Sequence, residues 1–353
     1  MAHYKYTPDL MTGQDLEEIS IGREKDVKYV VDKLSQAISK KYTTHMMFVG
    51  PRGIGKSHML LRIMNKMSKI STSVRFAEEE YSINSIETFF QRIFEILQLP
   101  EKPQNIEEAR KFLKKLNDDK KPAILYVENM QMLFDQISDD LAKLRSIIQT
   151  DQSFYVIGSA TNSFPEISSP DEPFYNFFEV KWIKGLTENE VKKLLQKRFE
   201  LADKKQLSEL LEKNSQRIQG IHLLTGGNPR LVHMLAEILI QKNSLEDLEK
   251  NLIHLLDQLT PFYQAKIESM SKEKRRIVDA IALSDGPKSP TEISKIINMK
   301  PTIVVSQLRK LEKEGIVEVI KLEDKKTTRY EIVERLYRIW RELSSSATAT
   351  GYV

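Results

Sequence analysis

The sequence predicts an α/β core, a parallel sheet with flanking helices, followed by a helical bundle and a C-terminal winged helix-turn-helix. Three observations carry this. Short apolar runs alternate with helical patterns as far as about Trp182. Strand signals then stop until about Thr260. From Pro261 onward, three helical patterns precede two strand-like runs.

In the first block, residues 46–49, 74–76, 123–127 and 155–157 are short and apolar, and turn or helix signals follow each. That alternation marks a parallel sheet with crossover helices. In the second block, Thr187 and Glu190 have capping-box spacing, and Leu194, Leu195 and Phe199 follow at helical intervals. Gly226-Gly227-Asn228-Pro229 interrupts the chain, and Pro229 suits the first turn of the next helix. Leu231, Leu235, Ile238 and Leu239 then form one stripe. In the third block, helices are expected over 272–283, 291–298 and 302–314, with Gly315 stopping the last. Ile316, Val317 and Val319 read as a strand, 321–329 as a charged turn and 330–333 as a second strand. A last helix over 334–343 buries Leu336, Ile339 and Trp340. This is winged helix-turn-helix order. The expected domains are 1–183, 184–260 and 261–345, with a flexible tail at 346–353.

The chain has 353 residues, 40% hydrophobic and 29% charged, which suits two or three globular domains and argues against global disorder. No apolar run approaches the length of a membrane helix, and the polar Met1 to Leu10 lacks the apolar segment of a secretion signal. The absence of cysteine excludes disulfide scaffolds, thiol nucleophiles and cysteine-ligated metals; it fits a reducing interior, and other compartments too, with the cytoplasm as the expected setting. The six histidines form no HExxH spacing, and no G-x-S-x-G nucleophile elbow occurs.

Gly50-Pro51-Arg52-Gly53-Ile54-Gly55-Lys56-Ser57 fits G-x-x-x-x-G-K-[ST] at every fixed position. It follows an apolar strand and opens a helix carrying Met59, Leu60, Ile63 and Met67, the context the motif requires. The glycines let backbone N–H groups turn toward a triphosphate, and the helix start adds its positive dipole end. Lys56 is placed to reach the β- and γ-phosphates of ATP and Ser57 to hold Mg²⁺. His58, next in line, joins the nucleotide-binding candidates and is expected to pack on the helix. Residues 123–127 end in Glu128, the carboxylate that Mg²⁺ needs at a neighbouring strand end, followed by Asn129. An amide can position water but cannot take its proton. Hydrolysis is therefore expected to be slow or partner-dependent. The strand at 155–157 runs on to Thr161 and Asn162, polar groups suited to the γ-phosphate.

With these segments in place, the chain resembles the AAA+ ATPases of the origin-recognition and replication-initiator type, and the related STAND signalling ATPases. The resemblance covers most of the chain. Ile21-Gly22-Arg23 looks like that family's entry motif, where backbone groups contact adenine. Gly50 to Ser57 matches Walker A and Glu128 matches Walker B, with Glu for the usual Asp. Asn162 matches sensor 1, and Gly226 to Arg230, with Pro229 and Arg230 toward the nucleotide, matches sensor 2. The text is also similar to a group of bacterial predicted ATPases of uncertain role. The shared segments resemble 76–81, 173–179 and 259–263, and that group tends to have Glu-Asn at Walker B. One departure is the arginine finger: no arginine lies between Thr150 and Trp182, which leaves Arg145 and Arg198 on either side.

The net charge of +4 is an average. From residue 261 onward, 18 lysines and arginines face 13 acids. The expected recognition helix carries Thr302, Ser306, Arg309, Lys310 and Lys313, and the wing Lys325, Lys326 and Arg329. Together these suggest double-stranded DNA as partner. Two readings stand at this point. One is an ATP-dependent switch that couples nucleotide to DNA. The other is a signalling or scaffold ATPase, oligomeric or bound to a partner protein, whose winged helix is a protein-interaction module.

Overall fold

The computed structural model describes residues 8–77, 80, 82–98, 105–118, 121–151, 154–161, 164–213, 215–242, 248–320 and 328–349. The chain divides into two units, Met1–Ile183 and Lys184–Val353.

The first unit opens with α1 (Gly13–Glu18) and α2 (Glu24–Lys40). Then follow β1 (His45–Val49), α3 (Lys56–Met67), β2 (Thr72–Phe76), α4 (Ile86–Ile96) and α5 (Ile106–Asp118). The unit closes with β3 (Ala123–Val127), α6 (Met130–Gln136), α7 (Leu141–Asp151), β4 (Phe154–Ala160), α8 (Pro165–Ser168) and β5 (Glu179–Trp182). The strands form one parallel sheet in the order β2-β3-β4-β1-β5. Apolar runs mark four of them. β5 carries no such run, because Glu179 and Lys181 alternate with Val180 and Trp182 along a half-exposed edge.

Strand alternation builds two cores. Met46, Phe48, Ile124, Tyr126, Tyr155 and Ile157 pack with α2 and α3 on one face. Met47, Val49, Leu125, Val127 and Val156 meet Phe89, Phe90, Leu133 and Phe134 on the other. Register places Val49 beside Ala160 and Val127 beside Gly158, so the carboxyl ends of β1, β3 and β4 lie together. Crevices at such ends are where open α/β sheets bind ligands.

His45 belongs to this core. Its ring stacks on Phe177 at 4.6 Å, and its Nδ1 accepts the Val156 N–H at 3.2 Å. Burial lowers its pKa to about 4. The neutral form is the folded form, so its stabilising effect is complete above the unfolded value near 6.5 and fades as pH falls through 4. We expect urea unfolding to weaken by about 3 kcal/mol between pH 7 and pH 4 through this group. His45→Asn should flatten that dependence, and an unchanged slope in the variant would refute the assignment.

The second unit begins with α9 (Glu188–Leu201), α10 (Lys205–Glu212), α11 (Ser215–Thr225), α12 (Pro229–Lys242) and α13 (Leu248–Glu268). The expected capping box starts α9: Thr187 Oγ1 accepts the Glu190 N–H (3.3 Å) and Glu190 accepts the Thr187 N–H (2.8 Å). The boundary expected at 260–261 falls inside α13, which runs through Pro261. Leu255, Leu256, Leu259 and Tyr263 are buried along it, and that continuous apolar face outweighs the roughly 3 kcal/mol an interior proline costs. There follow α14 (Lys272–Ala282), α15 (Pro290–Ile297), α16 (Pro301–Lys313), β6 (Val317–Ile320), β7 (Arg329–Ile332) and α17 (Arg335–Ala349). α17 includes residues 346–349, where a tail was expected, while 350–353 lie outside the described residues.

Within this unit, the helical bundle and the winged helix share a core. The Tyr263 ring lies 5.3 Å from both Tyr337 and Trp340. Trp340 Nε1 donates to Thr260 Oγ1 at 3.0 Å, and Lys266 pairs with Glu334 at 3.3 Å. Among the described residues, no helix is long and apolar enough to cross a membrane.

Candidate functional site

The loop after β1 is built by its glycines. Gly50 donates its N–H to the Ala160 carbonyl at 3.2 Å, and a Cβ there would stand 2.7 Å from the Ile183 oxygen. Gly53 and Gly55 have φ of 80° and 100°, which L side chains avoid. Ile54 between them is buried and anchors the loop. A Cβ at Gly55 would meet nothing within 4 Å, so space is open beside the backbone there. Lys56 begins α3 and its Nζ donates to the carbonyls of Gly50 (2.7 Å) and Pro51 (3.1 Å). Pro51 is half-buried and Arg52 exposed.

Ser57 donates its hydroxyl to Glu128, which is buried just past β3. Arg75 of β2 grips the other Glu128 oxygen, through Nε at 3.1 Å and through Nη2, and also pairs with Asp9. Sequence reasoning passed over Arg75. The available signal was a lone cation between Val74 and Phe76 in an apolar strand. Asn129 has φ 46° and ψ 53° and caps α6, the left-handed conformation that asparagine tolerates better than most residues. The backbone thus supplies a reason for asparagine at this position.

The entry segment meets the loop. Gly22 has φ 75°, Ile21 is half-buried, and Arg23 caps α2 with its side chain buried. Its Nη2 donates to the Ile54 carbonyl at 3.2 Å. Below, the buried Arg62 of α3 pairs with Glu17 at 2.5 Å, and that hydrogen bond holds the Glu17 pKa near 2. His58 is half-buried, and burial, aided by Arg62, lowers its pKa to about 4. At neutral pH it carries no charge toward a phosphate. Thr161 follows Ala160 at the end of β4, while Asn162 lies outside the described residues.

An open glycine loop, a lysine beside its own turn, and a hydroxyl touching a carboxylate are the donor set of an Mg²⁺-bound triphosphate. The residues present fit that group.

The second unit holds Pro229 and Arg230. Asn228 Oδ1 accepts the Arg230 N–H at 3.0 Å, and Pro229 starts α12. Arg230 is exposed, with its guanidinium 5.6 Å from the Phe262 ring centroid. Gly226 and Gly227 have φ of 58° and 67°. A Cβ on Gly226 would stand 3.0 Å from Val333, and one on Gly227 2.1 Å from the Leu186 oxygen. Arg198, weighed as a finger, is 1% exposed and paired with Glu237 at 3.0 Å, so burial removes it from any subunit surface. Arg145 donates to the carbonyls of Pro173 and Tyr175 (3.1 Å) and covers the Phe177 ring.

On α16, Val304, Leu308 and Leu311 are fully buried, and Thr302, Ser306, Arg309, Lys310 and Lys313 are exposed. Arg329 is already engaged: it pairs with Glu292 at 3.2 Å and donates to the Pro287 carbonyl at 2.9 Å. Lys325 and Lys326 lie outside the described residues. On α14, Lys274 pairs with Glu314 at 2.6 Å and Arg276 donates to the Ile297 carbonyl, so these cations brace the fold. Lys288 bridges to Tyr330, adding a short third arm to the β6-β7 ribbon.

Residues 39–167 match the family model described as an AAA domain. Residues 271–319 match that of the bacterial regulatory proteins of the arsR family. No curated protein matches. Among solved structures, the chain is similar to the Walker-type ATPase of Pyrococcus abyssi, at 13% identity and TM-score 0.63, over 91% of this chain and 96% of that one. It is also similar to Drosophila ORC, in a structure bound to DNA, at 13% identity and TM-score 0.51, over 97% and 98%. At such identities the likeness is one of fold. The chain thus has an α/β core with the fold of the AAA+ ATPases, carrying a match to the AAA domain over 39–167, and a C-terminal winged helix-turn-helix.

Proposed function

We propose that this protein is an ATP-dependent switch that hydrolyses slowly and whose nucleotide state sets duplex DNA binding by its winged helix. In this reading residues 1–183 are the ATPase core, the helices α9 to α13 the lid, and α14 to α17 with the β6-β7 ribbon the DNA-binding module. Lys56 and the N–H groups of the 50–57 loop hold the phosphates, with Arg23 bracing the loop. Ser57 and Glu128 would hold Mg²⁺, which when bound neutralises phosphate charge. Asn129 orients water without accepting its proton. Thr161 is assigned to the γ-phosphate, Asn162 joins it on its sequence position alone, and Ile21 and Gly22 are assigned to the base. Arg145 and Arg198 are committed within their own units, which favours slow turnover or stimulation by a partner or a second copy.

One observation carries the coupling: the Gly226-Gly227 turn that precedes Arg230 packs on Val333, directly after wing strand β7. In this reading a displacement of Arg230 would be passed to the wing through that close approach. Arg230 is poised for it, since leaving Phe262 at an exposed site costs about 0.5–1 kcal/mol.

Two measurements test this reading. Single-turnover ATP hydrolysis should be measurable in the native chain and lost in Glu128→Gln. Duplex affinity should fall in Lys310→Ala and Lys313→Ala, each reducing the salt slope by about one. Turnover that survives Glu128→Gln, or a salt slope that ignores both lysines, sinks it.

A further inference from the structure

We propose that the helix-turn-helix reads thymine 5-methyl groups through Ile303, so that its duplex target presents A·T pairs to the first turn of α16. The inference rests on the duplex-binding reading above and specifies what that site recognises.

The face opposite Val304, Leu308 and Leu311 decides what α16 can read. It presents Thr302, Ile303 and Ser306 in its first half, then Arg309, Lys310 and Lys313. In helix-turn-helix docking, the first residues of the recognition helix meet base edges while flanking groups hold the backbone. The first half of this face has no cation. Arg309 stands six residues beyond Ile303, about 9 Å along the helix. Guanine is most often read by a bidentate arginine or lysine. Within α16 none precedes Arg309, and the exposed Lys300 that caps the helix start stands at its end, where it can hold a backbone phosphate. What is present is a branched apolar side chain 40% exposed, between a threonine and a serine. Apolar groups and threonine methyls are the partners of the thymine methyl in the major groove.

The charge around Ile303 favours a polyanion over an apolar protein partner. Arg309, Lys310 and Lys313 are exposed on its helix, against Glu312 as the exposed acid. Glu314 is buried and spent on Lys274. Ile296 at 54% and Leu283 at 46% are also exposed in this domain, which makes a protein partner the alternative outcome of the test.

The experiment enriches a duplex from a random library with the full chain, ATP and Mg²⁺, then replaces each thymine of the enriched site singly by deoxyuridine. One or two replacements should weaken native binding about fourfold, the worth of one buried methyl. Ile303→Ala, at an exposed position, should bind thymine and uracil sites equally, and Ile303→Val should keep most of the preference. Uracil tolerated everywhere, or a preference that survives Ile303→Ala, overturns this inference and leaves duplex binding standing. A chain that enriches no duplex and binds none at low salt overturns both, and points to a protein partner for Ile303, Ile296 and Leu283.

Discussion

Lys56→Ala should lose ATP binding by two to three orders of magnitude, about 3–4 kcal/mol. The side chain supplies a mobile positive charge to the loop that the glycines shape. Its Nζ also ties the loop to itself, through the Gly50 and Pro51 carbonyls. The same substitution should therefore reduce stability by about 1.5–3 kcal/mol, the range for hydrogen bonds to a charged group. Calorimetric titration with ATP, next to a thermal melt of each protein, separates the two effects. Binding retained within threefold in a folded variant would remove the phosphate loop from the account.

Gly227→Ala is the second large effect. The residue has φ 67°, and a Cβ would stand 2.1 Å from the Leu186 oxygen and 2.8 Å from its nitrogen. Leu186 also donates its N–H to the Gly227 carbonyl at 2.7 Å, so neither strand can retreat without breaking that bond. We expect a loss of roughly 3 kcal/mol or more, a fall in melting temperature of about 6–12 °C for a unit of this size. Gly286 is the matched control. Its φ is 72°, but an added Cβ meets nothing within 4 Å. Gly286→Ala should cost only the left-handed penalty, about 1–2 kcal/mol. Equal effects at the two positions would mean that the close approach at Gly227 does not constrain the unit.

Both sites show which parts of the molecule were legible in sequence. The phosphate loop and its strand and helix are local, and fixed spacing specifies them. β1, β3 and β4 were legible because burial on both faces demands apolar runs, and the edge strand β2 through its buried Val74 and Phe76. β5 was not, because an edge strand can alternate charge with apolar side chains. The inner face of α16 followed from helical periodicity. Arg75 and Arg329 could not be placed that way. Their partners, Glu128 and Glu292, are far away in sequence, and only the fold brings them into contact. The helix spanning the second and third blocks was not legible either: tertiary burial of Leu259 and Tyr263 carries α13 through Pro261, a residue that locally favours a break. Asn129 reads in sequence as a missing base, whereas its left-handed backbone gives asparagine a structural purpose as well.

The central claim is that nucleotide and duplex are linked through the second unit. Duplex affinity of the native chain, measured at one fixed salt with ATP and Mg²⁺, with ADP and Mg²⁺ and without nucleotide, tests it most directly. A change of about 5- to 150-fold between ATP and its absence is predicted, with the same factor in ATP affinity when duplex is saturating. Salt-dependent duplex binding of equal strength in all three conditions would contradict it.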